Sequence, residues 1–131
     1  MHWYDCPSLA GILLAIALPV LPQQYVPLAM AVVLHLLLDF TLQSKWATTK
    51  AHNRRALLVH SAIAGFLPLA GLGLAAGSPT MALAGGLVGF ASHMAIDGSG
   101  KFGLPRWPGL VVDQAAHLVV IVVWWCVEHT C

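Results

Sequence analysis

The chain has 131 residues, of which 59% are hydrophobic and only 8% are charged, and its mean hydropathy is +0.81. Soluble domains carry about 25% charged residues, so this composition excludes a water-exposed globular surface and predicts an integral membrane protein. The formal net charge of +1 gives no strong field that would attract a nucleic acid or an acidic substrate.

Five apolar segments follow one another along the chain and predict an all-α, multi-pass transmembrane helical bundle. The first is short for a bilayer core of about 30 Å, so we expect it to be tilted, thin or re-entrant. The third contains Pro68, which predicts a kink. The start, MHWYDCPS, has no basic region, so we expect no cleavable signal peptide. The segments are predicted at 8–21, 25–42, 56–77, 81–98 and 109–127.

The basic residues predict the orientation of these segments. All six Lys and Arg residues lie in two loops, 43–55 and 99–108. Positive charge marks the cytoplasmic loops of membrane proteins, so both loops are expected in the cytoplasm. The basic run Lys45–Arg55 is interpreted as an anchor that touches lipid phosphates. Trp124 and Trp125, near the end of the fifth segment, are typical of an interfacial belt.

Histidine and aspartate residues recur in pairs inside the apolar segments. Three of the five acidic residues lie four positions from a histidine, which places both side chains of a pair on one helix face. The order of His and Asp is reversed in the fifth segment, as expected for helices that alternate in direction. His60 begins the third segment at the same depth. Ionisable groups at membrane depth indicate function. The pairs are His35/Asp39, His93/Asp97 and Asp113/His117.

The spacing of these residues indicates an internal duplication. His35 and His60 are 25 residues apart, and His93 and His117 are 24 residues apart. We therefore predict two repeats of a helical hairpin, 25–77 and 81–127, related by a pseudo-twofold axis along the membrane normal. Residues 1–24 form an additional N-terminal segment, and the whole chain, 1–131, is a single transmembrane domain. Asp113 has no acidic counterpart in the first repeat.

Imidazole nitrogens combined with carboxylate oxygens suit a divalent metal such as Zn, Mn or Fe and do not suit Cu(I). The residues allow one metal with outer carboxylates that orient the imidazoles, or two metals with a bridging Asp. Asp113 is also a candidate general base, and Lys101 a candidate catalytic residue that neutralises a carboxylate or holds an anionic substrate. The predicted metal ligands are His35, Asp39, His60, His93, Asp97, Asp113 and His117.

A glycine motif lies next to the predicted ligands. Gly85 and Gly89 form a GxxxG motif on the face of the fourth segment that carries His93, which predicts close helix packing beside the histidines.

Three cysteines exclude a complete disulfide framework because their number is odd. A disulfide between Cys126 and Cys131 remains open.

The elements HLLLDFTLQSKW, HMAIDGSGK and DQAAH, with an isolated His between the first two, resemble a family of small uncharacterised bacterial integral membrane proteins with HxxxDFxxQ, HxxxD and DQxxH motifs. The match covers about residues 34–117 and implies a multi-pass protein of the bacterial inner membrane. A looser likeness joins the chain to inner-membrane proteins classed as metal-dependent hydrolases. Besides the predicted ligands and Lys101, the family pattern singles out Gln43, Lys50 and Gln114.

Three classes of function compete at this point. The leading one is a metal-dependent hydrolase at the cytoplasmic face, acting on a lipid-linked ester or phosphate. The second is a metal or proton transporter, which the apolar outer halves of the third and fifth segments disfavour. The third is a non-enzymatic subunit of a larger membrane complex with a structural metal or haem. Expected partners are membrane lipids and either a second copy or a larger complex, with no nucleic acid.

Overall fold

Four long helices make up most of the computed structural model, which describes residues 20–41, 49–50 and 52–130. A 3-10 turn, Gln23–Tyr25, leads into the first helix. No strand occurs in these ranges, so the all-α prediction is confirmed. The first helix together with this turn, and each of the other three helices, is long and apolar enough to cross a bilayer. The helices are α1 (Val26–Phe40), α2 (Arg54–Ala75), α3 (Pro79–Gly98) and α4 (Arg106–Thr130).

The predicted segments agree with these helices to within a few residues at each end. The largest difference in length is at the fifth segment, since α4 begins three residues earlier and ends three residues later than predicted. The first predicted segment, 8–21, lies outside the described residues except for its last two positions. Five membrane segments therefore remain a prediction, and four are described.

The helix starts follow from local sequence. The side chain of Asn53 accepts hydrogen bonds from the backbone N–H groups of Arg55 and Ala56, at 3.0 and 3.3 Å, and so caps α2. Ser78 caps α3 in the same way through the N–H of Met81, at 3.2 Å. Pro79 follows this cap, where its missing N–H costs no helical hydrogen bond.

The second helix changes its geometry in the middle. Ser61–Gly65 forms a π-helical turn between the α-helical stretches Arg54–His60 and Phe66–Ala75. The sequence predicts the irregularity at Pro68, but the departure from α-helical geometry lies upstream of it. Single π turns inside α-helices are frequent at functional sites, and this one directly follows His60.

Glycines allow α2 and α3 to pack closely. A Cβ atom on Gly65 would lie 2.5 Å from the carbonyl oxygen of Gly89 and 2.6 Å from Cβ of His93. A Cβ atom on Gly85 would lie 2.5 Å from Nε1 of Trp124. Close packing at Gly85 and Gly89 is therefore confirmed, and Gly65 is the partner in α2 that sequence reasoning did not identify.

The centre of the bundle has an apolar and a polar part. The apolar part is a small cluster from three helices, made of Ala31, Leu69, Leu72 and Ile121. The polar part lies beyond it, toward the end where α1 and α3 finish and α2 and α4 begin. Large apolar side chains such as Leu83, Leu87 and Val119 are exposed on the outside, as expected of a surface that faces lipid.

Candidate metal centre

Seven polar side chains from four helices lie together at this end of the bundle. Each is only 1–6% exposed. The sequence patterns on α1, α3 and α4 place each pair on one face, and the closely packed glycines let those faces approach one another. The structure therefore brings the seven predicted ligands together. The seven residues are His35, Asp39, His60, His93, Asp97, Asp113 and His117.

Four of these residues form a first ligand group, Asp39, His60, His93 and Asp97, whose ligand atoms all lie within 4.8 Å of one another. His60 Nε2 lies 2.8 Å from Asp39 Oδ1 and 3.4 Å from Asp97 Oδ2. His93 Nε2 lies 3.3 Å from Asp97 Oδ2 and 3.8 Å from Asp39 Oδ1. Ligand atoms of a tetrahedral ion with bonds of about 2.05 Å lie about 3.3 Å apart, so these spacings fit a metal.

A second ligand group contains Asp97, Asp113 and His117, again within 4.8 Å of one another. Asp97 belongs to both groups and divides its two oxygens between them. Its Oδ2 faces His60 and His93, whereas its Oδ1 lies 3.4 Å from His117 Nε2. A carboxylate in this position can bridge two cations.

His35 lies beside both ligand groups and belongs to neither. Its ring centroid is 4.9 Å from that of His117 and 5.5 Å from that of His93. Its Nδ1 lies 3.2 Å from the carbonyl oxygen of Ala64 and donates to it in the fitting tautomer. Pro68 has no N–H to offer this carbonyl four residues earlier, so the proline leaves an acceptor for His35. The bond fixes the ring and leaves Nε2 as an acceptor.

Several buried polar atoms of the cluster lack a hydrogen-bond partner among the described residues. They are His35 Nε2, both ring nitrogens of His93 and Asp113 Oδ1. Buried polar atoms are normally paired, and a cation would supply the missing partner for lone pairs of nitrogen and oxygen. The donor set and its unpaired atoms therefore fit a metal ion.

Lys50 lies inside the cluster, and the interpretation of this residue as part of a lipid-facing anchor is wrong. Its Nζ is 2.6 Å from Asp97 Oδ2, 3.1 Å from His60 Nε2 and 3.6 Å from Asp39 Oδ1. Periodicity could not place Lys50, because it precedes α2 and belongs to no helical face. The family pattern singled it out, but without a role.

A polar cavity of about 220 Å³ adjoins the cluster. Gln114 lies in its wall and donates from Nε2 to Asp39 Oδ2, at 2.6 Å, and to Asp113 Oδ2, at 3.2 Å. The family pattern singles out Gln114, but without a role. The cavity is lined by Asp39, Phe40, Lys50, Lys101, Leu110, Asp113 and Gln114.

Lys101 reaches this cavity from a turn and not from a helix. Helical spacing would place it one turn beyond Asp97 on the same face, but α3 ends at Gly98. Lys101 and Phe102 have left-handed backbone angles, with φ of +57° and +58°, between two glycines that share this conformation. Such angles are costly for residues other than glycine. The left-handed turn directs the chain back so that Lys101 lines the cavity.

The opposite side of the cluster is closed. The space between His35, His93 and His117 and the apolar layer has a volume of only about 10 Å³, near the minimum that one water needs. Leu69 and Ile121 form part of that boundary and are 2% exposed. The cluster is therefore accessible from the side of Lys50 and Lys101 only, as far as the described residues define it.

A family model described as "Protein of unknown function (DUF3307)" matches residues 28–130. The chain belongs to this family. The match includes all four helices and all seven clustered residues, apart from the first two positions of α1. No curated protein and no solved structure matches the chain.

Membership of the DUF3307 family confirms the predicted resemblance to an uncharacterised family. The likeness to metal-dependent hydrolases remains a prediction. Gln43, which the family pattern also singles out, lies outside the described residues. Buried His and Asp groups that could hold a metal, on helices able to cross a membrane, are the properties that this member displays.

Proposed function

We propose that this protein is a membrane-embedded, metal-dependent hydrolase whose site lies near the cytoplasmic face. One observation carries the proposal: two buried ligand groups share Asp97 and open onto a polar cavity of about 220 Å³ that contains two lysines. A purely structural metal needs no such cavity. A hydrolase needs space for the scissile bond next to the metal.

The metal would be held by residues of the two ligand groups, with His35 oriented toward them by its bond to Ala64. Nitrogen and carboxylate ligands suit Zn, Mn or Fe. When bound, such an ion polarises an ester or phosphoryl oxygen and makes a coordinated water acidic. The remaining roles belong to the side chains around the cavity.

Asp113 and Lys101 are the residues that we assign to catalysis. Asp113 is 4% exposed, its Oδ1 has no hydrogen-bond partner among the described residues, and the residue lines the cavity. It is therefore placed to take a proton from a water molecule in the cavity. Lys101 lines the same cavity and would hold an anionic group of the substrate there.

A hydrocarbon-linked substrate fits the surface next to this cavity. An apolar groove of about 340 Å³ runs between α1 and α2 and includes Leu34, Leu37 and Pro68 in its lining. Leu37 precedes Phe40, which lines the polar cavity, by less than one helical turn. A polar head in the cavity and a hydrocarbon chain in the groove would match a lipid-linked ester or phosphate.

The proposal includes the predicted orientation and duplication. We place the end of the bundle that carries Lys50, Arg54, Lys101 and Arg106 in the cytoplasm of a bacterial inner membrane, as the positive-inside rule requires. Contacts of the clustered residues support the two repeats. Asp39 contacts His60 at 2.8 Å, and Asp97 contacts His117 at 3.4 Å, so the Asp of each repeat meets the His of its own second helix.

A structural metal in a subunit of a larger complex is the second candidate. It is favoured by the first ligand group, which has four ligands, because closed four-ligand sites are typical of structural zinc. The alternative of haem is disfavoured, since the rings of His93 and His117 stack with centroids 4.1 Å apart and leave no space for a porphyrin between them. The closed apolar side disfavours a transport path.

Metal analysis and activity together test this proposal. The wild type, purified in detergent, is expected to carry a divalent metal, and a His93→Ala/His117→Ala variant is expected to lose at least 90% of it. The loaded wild type should hydrolyse a member of a panel of lipid esters and phosphoesters, and the variant should not. A wild type that binds metal but hydrolyses nothing, and that unfolds when the metal is removed, would favour the structural subunit.

A further inference from the structure

We propose that the Lys50 ammonium is the second cation of this centre, so that the protein binds one divalent metal per chain, on the side of Asp113 and His117. The inference rests on the metal site of the proposed function and specifies which cations occupy that site. It also decides between the one-metal and two-metal arrangements, since two ligand groups by themselves would allow two ions.

The position of Nζ disfavours a metal ion in the first ligand group. Nζ lies 2.6, 3.1 and 3.6 Å from Asp97 Oδ2, His60 Nε2 and Asp39 Oδ1, which are three of the four ligand atoms of that group. An ion bonded to Asp97 Oδ2 at about 2.05 Å would lie within about 4.7 Å of the ammonium, because Nζ is 2.6 Å from that oxygen. Two cations this close repel strongly.

The formal charge of the cluster also favours one divalent metal per chain. Asp39, Asp97 and Asp113 contribute three negative charges, and Lys50 contributes one positive charge. The remaining charge of −2 is neutralised by one divalent ion, whereas two ions would leave a buried charge of +2. Buried net charge is costly in protein and more so at membrane depth. Neutrality therefore favours Lys50 together with a single metal.

Asp97 connects the two cations. Its Oδ2 contacts Lys50, and its Oδ1 faces His117 in the second ligand group. This is the geometry of a carboxylate that bridges two metals, with the ammonium in the place of one ion. A metal held by Asp97, Asp113 and His117 would lie next to the cavity, because Asp113 also lines the cavity.

The experiment is a titration of detergent-purified protein with Mn²⁺ alone, with bound metal counted after equilibrium dialysis. Mn²⁺ prefers oxygen and imidazole to thioether sulfur, so methionine can replace lysine without adding a ligand. We expect one Mn²⁺ on the wild type, two on Lys50→Met and one on the matched control Lys101→Met. Two ions on the wild type, or one on Lys50→Met, would overturn the inference.

A second comparison keeps the inference testable if Lys50→Met does not fold. His60 and His117 occupy equivalent places in the two predicted repeats but lie in different ligand groups. We expect His117→Ala to weaken Mn²⁺ binding at least tenfold and His60→Ala to change it less than threefold. Equal losses would contradict the assignment. No metal on any variant refutes the proposed function itself, whereas two ions on an active wild type refute only the role of Lys50.

Discussion

Asp97 occupies the central position among the buried polar side chains, because its two oxygens face different partners. Its contacts reach His60, His93 and Lys50 through Oδ2 and His117 through Oδ1. A buried carboxylate without such partners would carry a large desolvation cost. Both ligand groups therefore depend on this one residue, and its loss would affect the binding of any cation on either side.

A substitution of Asp113 can distinguish a role in metal binding from a role in catalysis. Asp113→Asn keeps an oxygen that can contact a metal but removes the basic carboxylate. We expect this variant to retain most of its metal and to lose at least 100-fold in turnover, as the removal of a general base commonly causes. Metal analysis and an assay on the same preparation measure both. If Asp113→Asn loses metal to the same extent as His117→Ala, Asp113 is only a ligand.

At the scale of secondary structure, α2 is the element that organises the site. Its first turns carry His60, its π turn offers the Ala64 carbonyl to His35, and Gly65 lets α3 approach. The π turn and Gly65 thus both contribute to the position of the clustered side chains. A regular α-helix with a larger residue at position 65 would place His60 and His93 farther apart.

Gly65→Ala tests this packing. The added methyl would meet the Gly89 carbonyl and the backbone-proximal Cβ of His93, neither of which can rotate away. Overpacking of this kind costs about 1–3 kcal/mol, so we expect a lower free energy of unfolding in detergent and weaker metal binding. Gly71→Ala is the matched control on the same helix, because nothing lies within 4 Å of its added Cβ. A Gly65→Ala variant as stable as Gly71→Ala would contradict the account.

At the scale of the whole molecule, the bundle is polar at one end of its core and apolar over its outer surface. The cluster is closed toward the apolar layer by Leu69 and Ile121 and opens toward Lys50 and Lys101. A site with access from one side suits chemistry on a substrate that enters and leaves from that side. The membrane orientation then decides which compartment supplies the substrate.

Cysteine labelling tests that orientation. Ser99 and Thr80 are exposed near opposite ends of α3, which at 20 residues is about 30 Å long. With the three native cysteines replaced by serine, Ser99→Cys should react with a membrane-impermeant maleimide only after the cells are permeabilised. Thr80→Cys should react in intact spheroplasts. The reverse pattern would place the site on the outer face.

Composition and spacing predict the helices that could cross a membrane and most of the polar residues that cluster at one end of the bundle. Low charge and long apolar runs predict membrane helices, because the bilayer admits little else. The i, i+4 pairs predict shared faces, because helix geometry relates those positions directly. The confinement of Lys and Arg to two loops places the seven polar residues at one end. These are local rules, and each needs only residues near one another in the chain.

Only the tertiary structure decided how the helices meet. Lys50 enters the cluster from outside any helical period, and Gln114 contacts Asp39 from 75 positions away. Gly65 faces Gly89, and Lys101 reaches the cavity through a left-handed turn rather than along a helix. Such contacts depend on the rotation and separation of whole helices, which packing sets. The sequence thus supplied the ligand types, and the packing supplied the ammonium that completes the arrangement around Asp97.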